Sequence, residues 1–143
     1  MTKREYENCL KRNKIKLFSR GKSLVGKEIE ASEADFLRAK KTLEEEDYKW
    51  ATVQIYYSMF HIARALLYAK NLREHSHYCL IKAIKFLYVD TKEIPTNILD
   101  AFQEAKNLRE DADYYCRWSE AGCKRLLKNA EHFLEVAKTL LNR

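Results

Sequence analysis

Glycine and proline are scarce in this chain of 143 residues: Gly stands only at 21, 26 and 122, and Pro only at 95. Sandwiches and barrels turn about every 8–12 residues and rely on such residues to do so. An all-β fold is therefore excluded. No apolar run approaches the ~18 residues of a membrane-spanning helix, and residues 1–20 alternate charged with apolar side chains too finely for the core of a secretory signal. The expected location is the cytoplasm, with no membrane partner. The four cysteines, Cys9, Cys79, Cys116 and Cys123, form no Cys-x-x-Cys pair. In a chain able to build its own core they are expected to be small, mostly buried thiols in a reducing compartment, not a disulfide framework or a zinc site.

General catalytic signatures are missing as well. The segment from Gly21 to Gly26 has no preceding strand pattern and no Gly-Lys-Ser/Thr ending, so it is not a phosphate-binding loop. There is no His-Glu-x-x-His, and His75 and His77, two residues apart, would point to different sides of a helix. Neither a metal nor a cofactor is expected.

What is present suits helices. The chain is 46% hydrophobic and 34% charged, enough for one core in one domain. Apolar spacing of period 3.6 predicts helices over about Lys3–Phe18, Ser32–Asp47, Tyr48–Ala69, His77–Leu87, Pro95–Leu108 and Ser119–Leu141. Ser32, with Asp35 three residues on, reads as a capping box, Ser19–Glu30 as a loop or frayed end, and Pro95 as the opening of its helix. The helix from Tyr48 is apolar on more than one side and should be central. The expected fold is all-α, an antiparallel up-and-down bundle of five or six helices. Residues 1–31 read as a basic N-terminal helix and loop extension and 32–143 as the bundle.

Charge divides along the same line. Residues 1–30 hold nine Lys or Arg against four Asp or Glu, whereas the whole chain carries +6. Lys11, Arg12, Lys14, Lys16, Arg20, Lys22 and Lys27 follow one another with no acid between them. Such a block is the electrostatic signature of a partner bearing phosphates or carboxylates, and Lys11, Arg12, Lys14, Lys16 and Arg20 are the candidates for attracting phosphate. A solvated helix face followed by a mobile loop has the same composition.

Two segments carry more chemistry than packing needs. In Tyr56-Tyr57-Ser58-Met59-Phe60-His61-Ile62-Ala63-Arg64-Ala65-Leu66-Leu67, polar groups interrupt an apolar helix. Tyr57, His61 and Arg64 fall on one stripe where hydroxyl, imidazole and guanidinium could hydrogen-bond in a chain. Arg64 then needs a carboxylate or phosphate. The second segment, Leu108-Arg109-Glu110-Asp111-Ala112-Asp113-Tyr114-Tyr115, reads as a charged, aromatic turn in which Asp113 could pair with Arg64 or Arg109. A structural polar network and a ligand site both fit these residues.

These segments, with Ser76-His77 opening the next helix, resemble the HEPN domain family, in the branch of small stand-alone prokaryotic proteins. The resemblance covers roughly Ser32 to Leu141. It implies a helical bundle that forms homodimers. It also implies pairing with a minimal nucleotidyltransferase in a toxin–antitoxin-like module, and possible nucleotide or RNA binding. Many members of the wider superfamily are metal-independent ribonucleases that use an arginine followed, after four to six intervening residues, by a histidine. Here Arg109 stands at the matching place, but those positions hold Tyr114, Tyr115 and Cys116. Arg125 and His132 do have the spacing, inside the last helix, where ten Arg and four His make such a match frequent by accident.

The reading that follows is a non-catalytic or degenerate member whose polar cleft is lined by Tyr57, His61, Arg64, His77, Arg109, Asp113 and Tyr114. The alternative is a ribonuclease in which Arg109 works with a non-standard partner, Tyr114 or His77. A blander reading is an interaction module with an aromatic dimer face around Tyr48, Trp50 and Trp118.

Overall fold

A computed structural model of the protein describes residues 2–142. In chain order its elements are α1 (Thr2–Lys11), β1 (Ile15–Leu17), α2 (Gly21–Glu44), α3 (Tyr48–Tyr68), β2 (Leu72–Glu74), α4 (His77–Ile84), α5 (Thr96–Tyr114) and α6 (Glu120–Leu141). A single π-helical turn, Lys85–Val89, extends α4. The expected helical bundle is present, and α3 is its centre, packed against α2, α4, α5 and α6. Thirteen of its residues are buried, on all sides of the helix, as its apolar character required.

Side-chain caps set several boundaries. Asp47 accepts from the Trp50 N–H at 3.3 Å to start α3, Ser76 accepts from Cys79 at 3.2 Å to start α4, and Ser119 accepts from Gly122 at 2.9 Å to start α6. Five sequence expectations require correction. The first helix stops at Lys11 and not at Phe18, because Asn13 takes a left-handed conformation (φ 58°) and the chain then runs extended as β1. The loop expected over Ser19–Glu30 is helical from Gly21, so α2 crosses residue 31 without a break. Ser32 is not a cap but lies buried inside α2, where its hydroxyl donates to the Ser58 carbonyl at 2.7 Å while Ser58 donates back to the Ser32 carbonyl at 2.8 Å. This reciprocal pair replaces bulk with hydrogen bonds and lets α2 and α3 approach closely. The turn expected at Arg109–Tyr115 is, as far as Tyr114, the last stretch of α5, supported by the i, i+4 ion pairs Lys106–Glu110 and Arg109–Asp113. The fifth correction concerns sulfur: Cys9 and Cys79 are joined in a disulfide between α1 and α4, while Cys116 and Cys123 are free thiols.

The two short strands pair antiparallel, with Ile15 opposite Glu74, Lys16 opposite Arg73 and Leu17 opposite Leu72. This ribbon was absent from the sequence reading. It brings the segment before α2 against the segment after α3 and so closes the base of the α2–α3 hairpin. Gly21 is required there: a Cβ at that position would lie 2.6 Å from the Tyr68 carbonyl oxygen.

Candidate functional site

Where α3 passes between α4 and α5, one side chain organises the polar groups. Tyr56 is fully buried and stacks on Phe102 at 5.9 Å between ring centroids. Its hydroxyl shares a 2.5 Å hydrogen bond with Nδ1 of His77, the first residue of α4. Burial raises the Tyr56 hydroxyl far above its ordinary range, so it keeps its proton. Its hydrogen bond occupies Nδ1 and leaves Nε2 as the other bonding atom of the His77 ring. That ring sits below its ordinary range, first because it is partly buried and second because the Arg109 cation faces it. At neutral pH His77 is an uncharged imidazole.

Arg109 completes this group. From α5 its guanidinium lies over the rings of Tyr56 and Tyr57, 5.1 and 5.8 Å from their centroids. Its one carboxylate contact, Nη1 to Asp113 Oδ2, is long at 3.4 Å, and its Nε is buried without a hydrogen-bond partner. A guanidinium held by faces of rings and by one stretched ion pair has donors left for an anion.

The remaining sequence candidates divide differently from expectation. Tyr57, His61 and Arg64 do not form the hydrogen-bonded chain that their spacing suggested; each turns to another element. Arg64 makes a bidentate pair with Glu74 of β2 (Nε to Oε1 3.1 Å, Nη2 to Oε2 2.8 Å), approaches Glu28 of α2 at 3.6 Å and stacks on Phe60 at 4.5 Å. His61 meets the same Glu28 at 2.6 Å and Asp35 at 3.6 Å. Burial raises the Asp35 carboxyl, and His61 acts against that rise. Asp113 therefore serves Arg109 and not Arg64. Tyr114, at the end of α5, is 70% exposed and stands apart from this group.

Lys11 ends α1, Arg12 and Lys14 lie in the turn that follows, Lys16 is on β1 and Arg20 precedes α2. All but the half-buried Lys14 are exposed. Arg125 is occupied by Glu104 at 3.0 Å. Among the described residues no three His, Cys, Asp or Glu side chains gather as metal ligands.

Three partners escaped the sequence reading: Tyr56, Glu28 and Glu74. Tyr56 was inside the quoted helix segment, and its offset of four from Phe60 was the signal. Glu28 and Glu74 lay in stretches read as loop, where a carboxylate gives no period.

An open groove of about 450 Å³, lined by Lys22, Val25, Lys70, Tyr88, Glu93 and Leu140 among others, lies near the far end of α3 from Tyr56 and holds none of the candidates.

The sequence model of the HEPN domain matches residues 26–142. The chain is 29% identical over 124 residues to "Putative toxin MJ0142" of Methanocaldococcus jannaschii, covering 87% of this chain and 81% of that protein. It is 32% identical over 114 residues to "Putative toxin MJ0605" of the same organism, covering 79% of this chain and 85% of that protein. The chain belongs to the HEPN domain family.

Proposed function

We propose that this HEPN protein is the toxin-type component of a toxin–antitoxin-like module and that it binds nucleotide or RNA phosphate at the cleft of Arg109 and His77 without cleaving it. The observation that carries this reading is the state of Arg109, a half-buried cation with an unpartnered Nε and a single 3.4 Å ion pair, set beside an uncharged imidazole whose Nε2 is not taken by Tyr56. Bidentate guanidinium contacts suit phosphate oxygens, and a neutral ring adds a donor without repelling the guanidinium. Both relatives named above are described as toxins of the putative kind, which supports the first half of the reading. The absence of a histidine at the three offsets after Arg109 supports the second.

The same reading includes a homodimer in the cytoplasm and a minimal nucleotidyltransferase as partner. Trp50 and Trp118, 50% and 47% exposed, give the dimer an aromatic face near Tyr48. Sedimentation at micromolar concentration should show the dimer, and a monomer there would remove it. The binding test is a titration of purified protein with AMP and with RNA at low salt, which should saturate for wild type and weaken at least about tenfold for Arg109→Ala. No detectable binding of either ligand at about 50 mM salt would sink the reading.

One observation favours a second reading. His77 is held by Tyr56, kept uncharged and placed near a loosely held arginine, which is the pairing of proton carrier and phosphate holder that attack by a 2′-hydroxyl requires. RNA cleavage that disappears in both Arg109→Ala and His77→Gln, with unchanged melting temperatures, would establish it over simple binding.

A further inference from the structure

The ribbon sorts its side chains by alternation. Ile15 and Glu74 face inward at 2% and 5% exposure, which leaves Lys16 and Arg73, directly opposite each other, on the outer face with their neighbours Lys14 and His75. The backbone N–H of His75 donates to the Lys14 carbonyl at 2.8 Å, carrying the pairing one step further. Arg12 and Arg20 flank the ribbon at the two ends of β1. Arg73 and His75 were not part of the basic block seen in the sequence, because they arrive from the other side of the α2–α3 hairpin.

Two like charges facing each other across a pair of strands destabilise that pair. No carboxylate relieves them: among the described residues none lies within ion-pair distance of Lys14, Lys16, Arg73, Arg12 or Arg20, although Lys82, Lys106 and Arg125 elsewhere each have one. The ribbon is nevertheless rigidly mounted. Glu74 is tied to Arg64, the Phe18 ring packs on Tyr68 at 5.1 Å, the Phe18 N–H donates to the Asn71 carbonyl at 2.7 Å, and the Cys9–Cys79 disulfide fixes the preceding helix. This is a built cationic face and not a loose basic tail.

We propose that the outer face of the β1–β2 ribbon is a contact surface for the phosphate backbone of single-stranded RNA, separate from the Arg109 cleft. Charge complementarity argues for a polyanion, since phosphates would neutralise the opposed Lys16 and Arg73 and gain from counterion release. The apolar neighbours argue for an unpaired strand. The Phe18 ring, two residues from Lys16 and so on the same face, lies beneath the Arg73 guanidinium at 5.4 Å, and Leu17, 88% exposed, leaves an apolar edge on the other side of the strand; an aromatic set among cations is the combination that holds bases of a single strand next to their backbone. The position of the surface follows from the ribbon alone; the identity of the polyanion rests on the RNA reading above.

The test uses the full chain, a fluorescein-labelled single-stranded RNA of about 20 nucleotides, and anisotropy titrations between about 50 and 300 mM salt. The triple variant Lys14→Ala, Lys16→Ala, Arg73→Ala should bind at least about tenfold more weakly, with the slope of log affinity against log salt reduced by about 2 for three lost phosphate contacts. Its melting temperature should hold or rise, because the substituted groups are largely solvent-facing and repel one another. Arg109→Ala should reduce that slope by about 1 or less. Wild type that binds RNA while the triple variant matches its affinity and slope would overturn the ribbon surface and leave the cleft standing. Wild type that fails to bind RNA at low salt would overturn both. Tighter binding to phosphatidylserine vesicles than to RNA, abolished by the triple variant, would keep the cationic surface but overturn RNA as its partner.

Discussion

Arg64 and Arg109 both project toward aromatic rings of α3 segment Tyr56–Phe60, yet they are held in opposite ways. Arg64 lies on Phe60 with two short bonds to Glu74 and a second carboxylate at 3.6 Å. Arg109 lies on Tyr56 and Tyr57 with one ion pair of 3.4 Å and a buried, unpartnered Nε. The first guanidinium has its Nε and one Nη bonded to a single carboxylate and acts as a tie between α3, α2 and the ribbon. The second has donors left over. Exposure does not separate them, since the Arg109 side chain is 13% exposed against 25% for Arg64; partner geometry does.

The strongest way to break this contrast is Arg64→Ala. It strands Glu74, 4% exposed, without its cation, and should cost about 3–4 kcal/mol of unfolding free energy in a urea titration. A loss below about 1 kcal/mol would mean that Arg64 is no tie at all. Next in size is Cys9→Ser. Opening a disulfide between residues 70 apart should cost about 2–4 kcal/mol by chain entropy, read as a lower melting temperature that wild type reproduces only under reductant.

Arg109→Ala reverses the pattern. Losing one long ion pair and two ring contacts should cost only about 1 kcal/mol of stability, while AMP affinity falls at least about tenfold. The smallest effect is the most diagnostic. The His77 value lies below the ordinary 6.5 in the folded protein, so the unfolded chain takes up a proton first as pH falls. The stability His77 contributes is therefore complete above about pH 6.5 and declines below it, a slope that His77→Gln should flatten. In Arg109→Ala, NMR titration should show His77 moving upward yet remaining below its ordinary value, because burial is the larger cause and Arg109 the second. No upward movement would show that the two groups do not feel each other.

Much of the bundle could be read from the residues. Helix α3 was expected over Tyr48–Ala69 and is found over Tyr48–Tyr68, and α6 was expected over Ser119–Leu141 and is found over Glu120–Leu141. Both have sustained apolar periodicity and a side-chain cap, signals that are local. The start of α2 was misread because Gly21 and Gly26 look like loop residues, whereas Gly21 is there for its contact with Tyr68 and Gly26 sits in an open helical turn. The ribbon was invisible because strands of three residues carry no usable period and their register is set across more than fifty residues. In the site, Arg109 and His77 could be named from the sequence, but their relation runs through Tyr56 and depends on how α4 and α5 cross α3. The inertness of Arg64 likewise depended on Glu28 and Glu74, whose approach only the closed hairpin produces.

That closure has a temporal side. Ile15 cannot meet Glu74 until α2 and α3 have been made and laid together, since the intervening chain must first come back on itself. During synthesis the cations of residues 11–20 emerge early and scattered, while Arg73 is still to come. The ribbon is a clasp that fastens after the hairpin, so its cationic face exists as one surface only once the helices are assembled. A chain that stalls before that point, or a fragment begun at residue 26, would carry some of the charges and none of the surface.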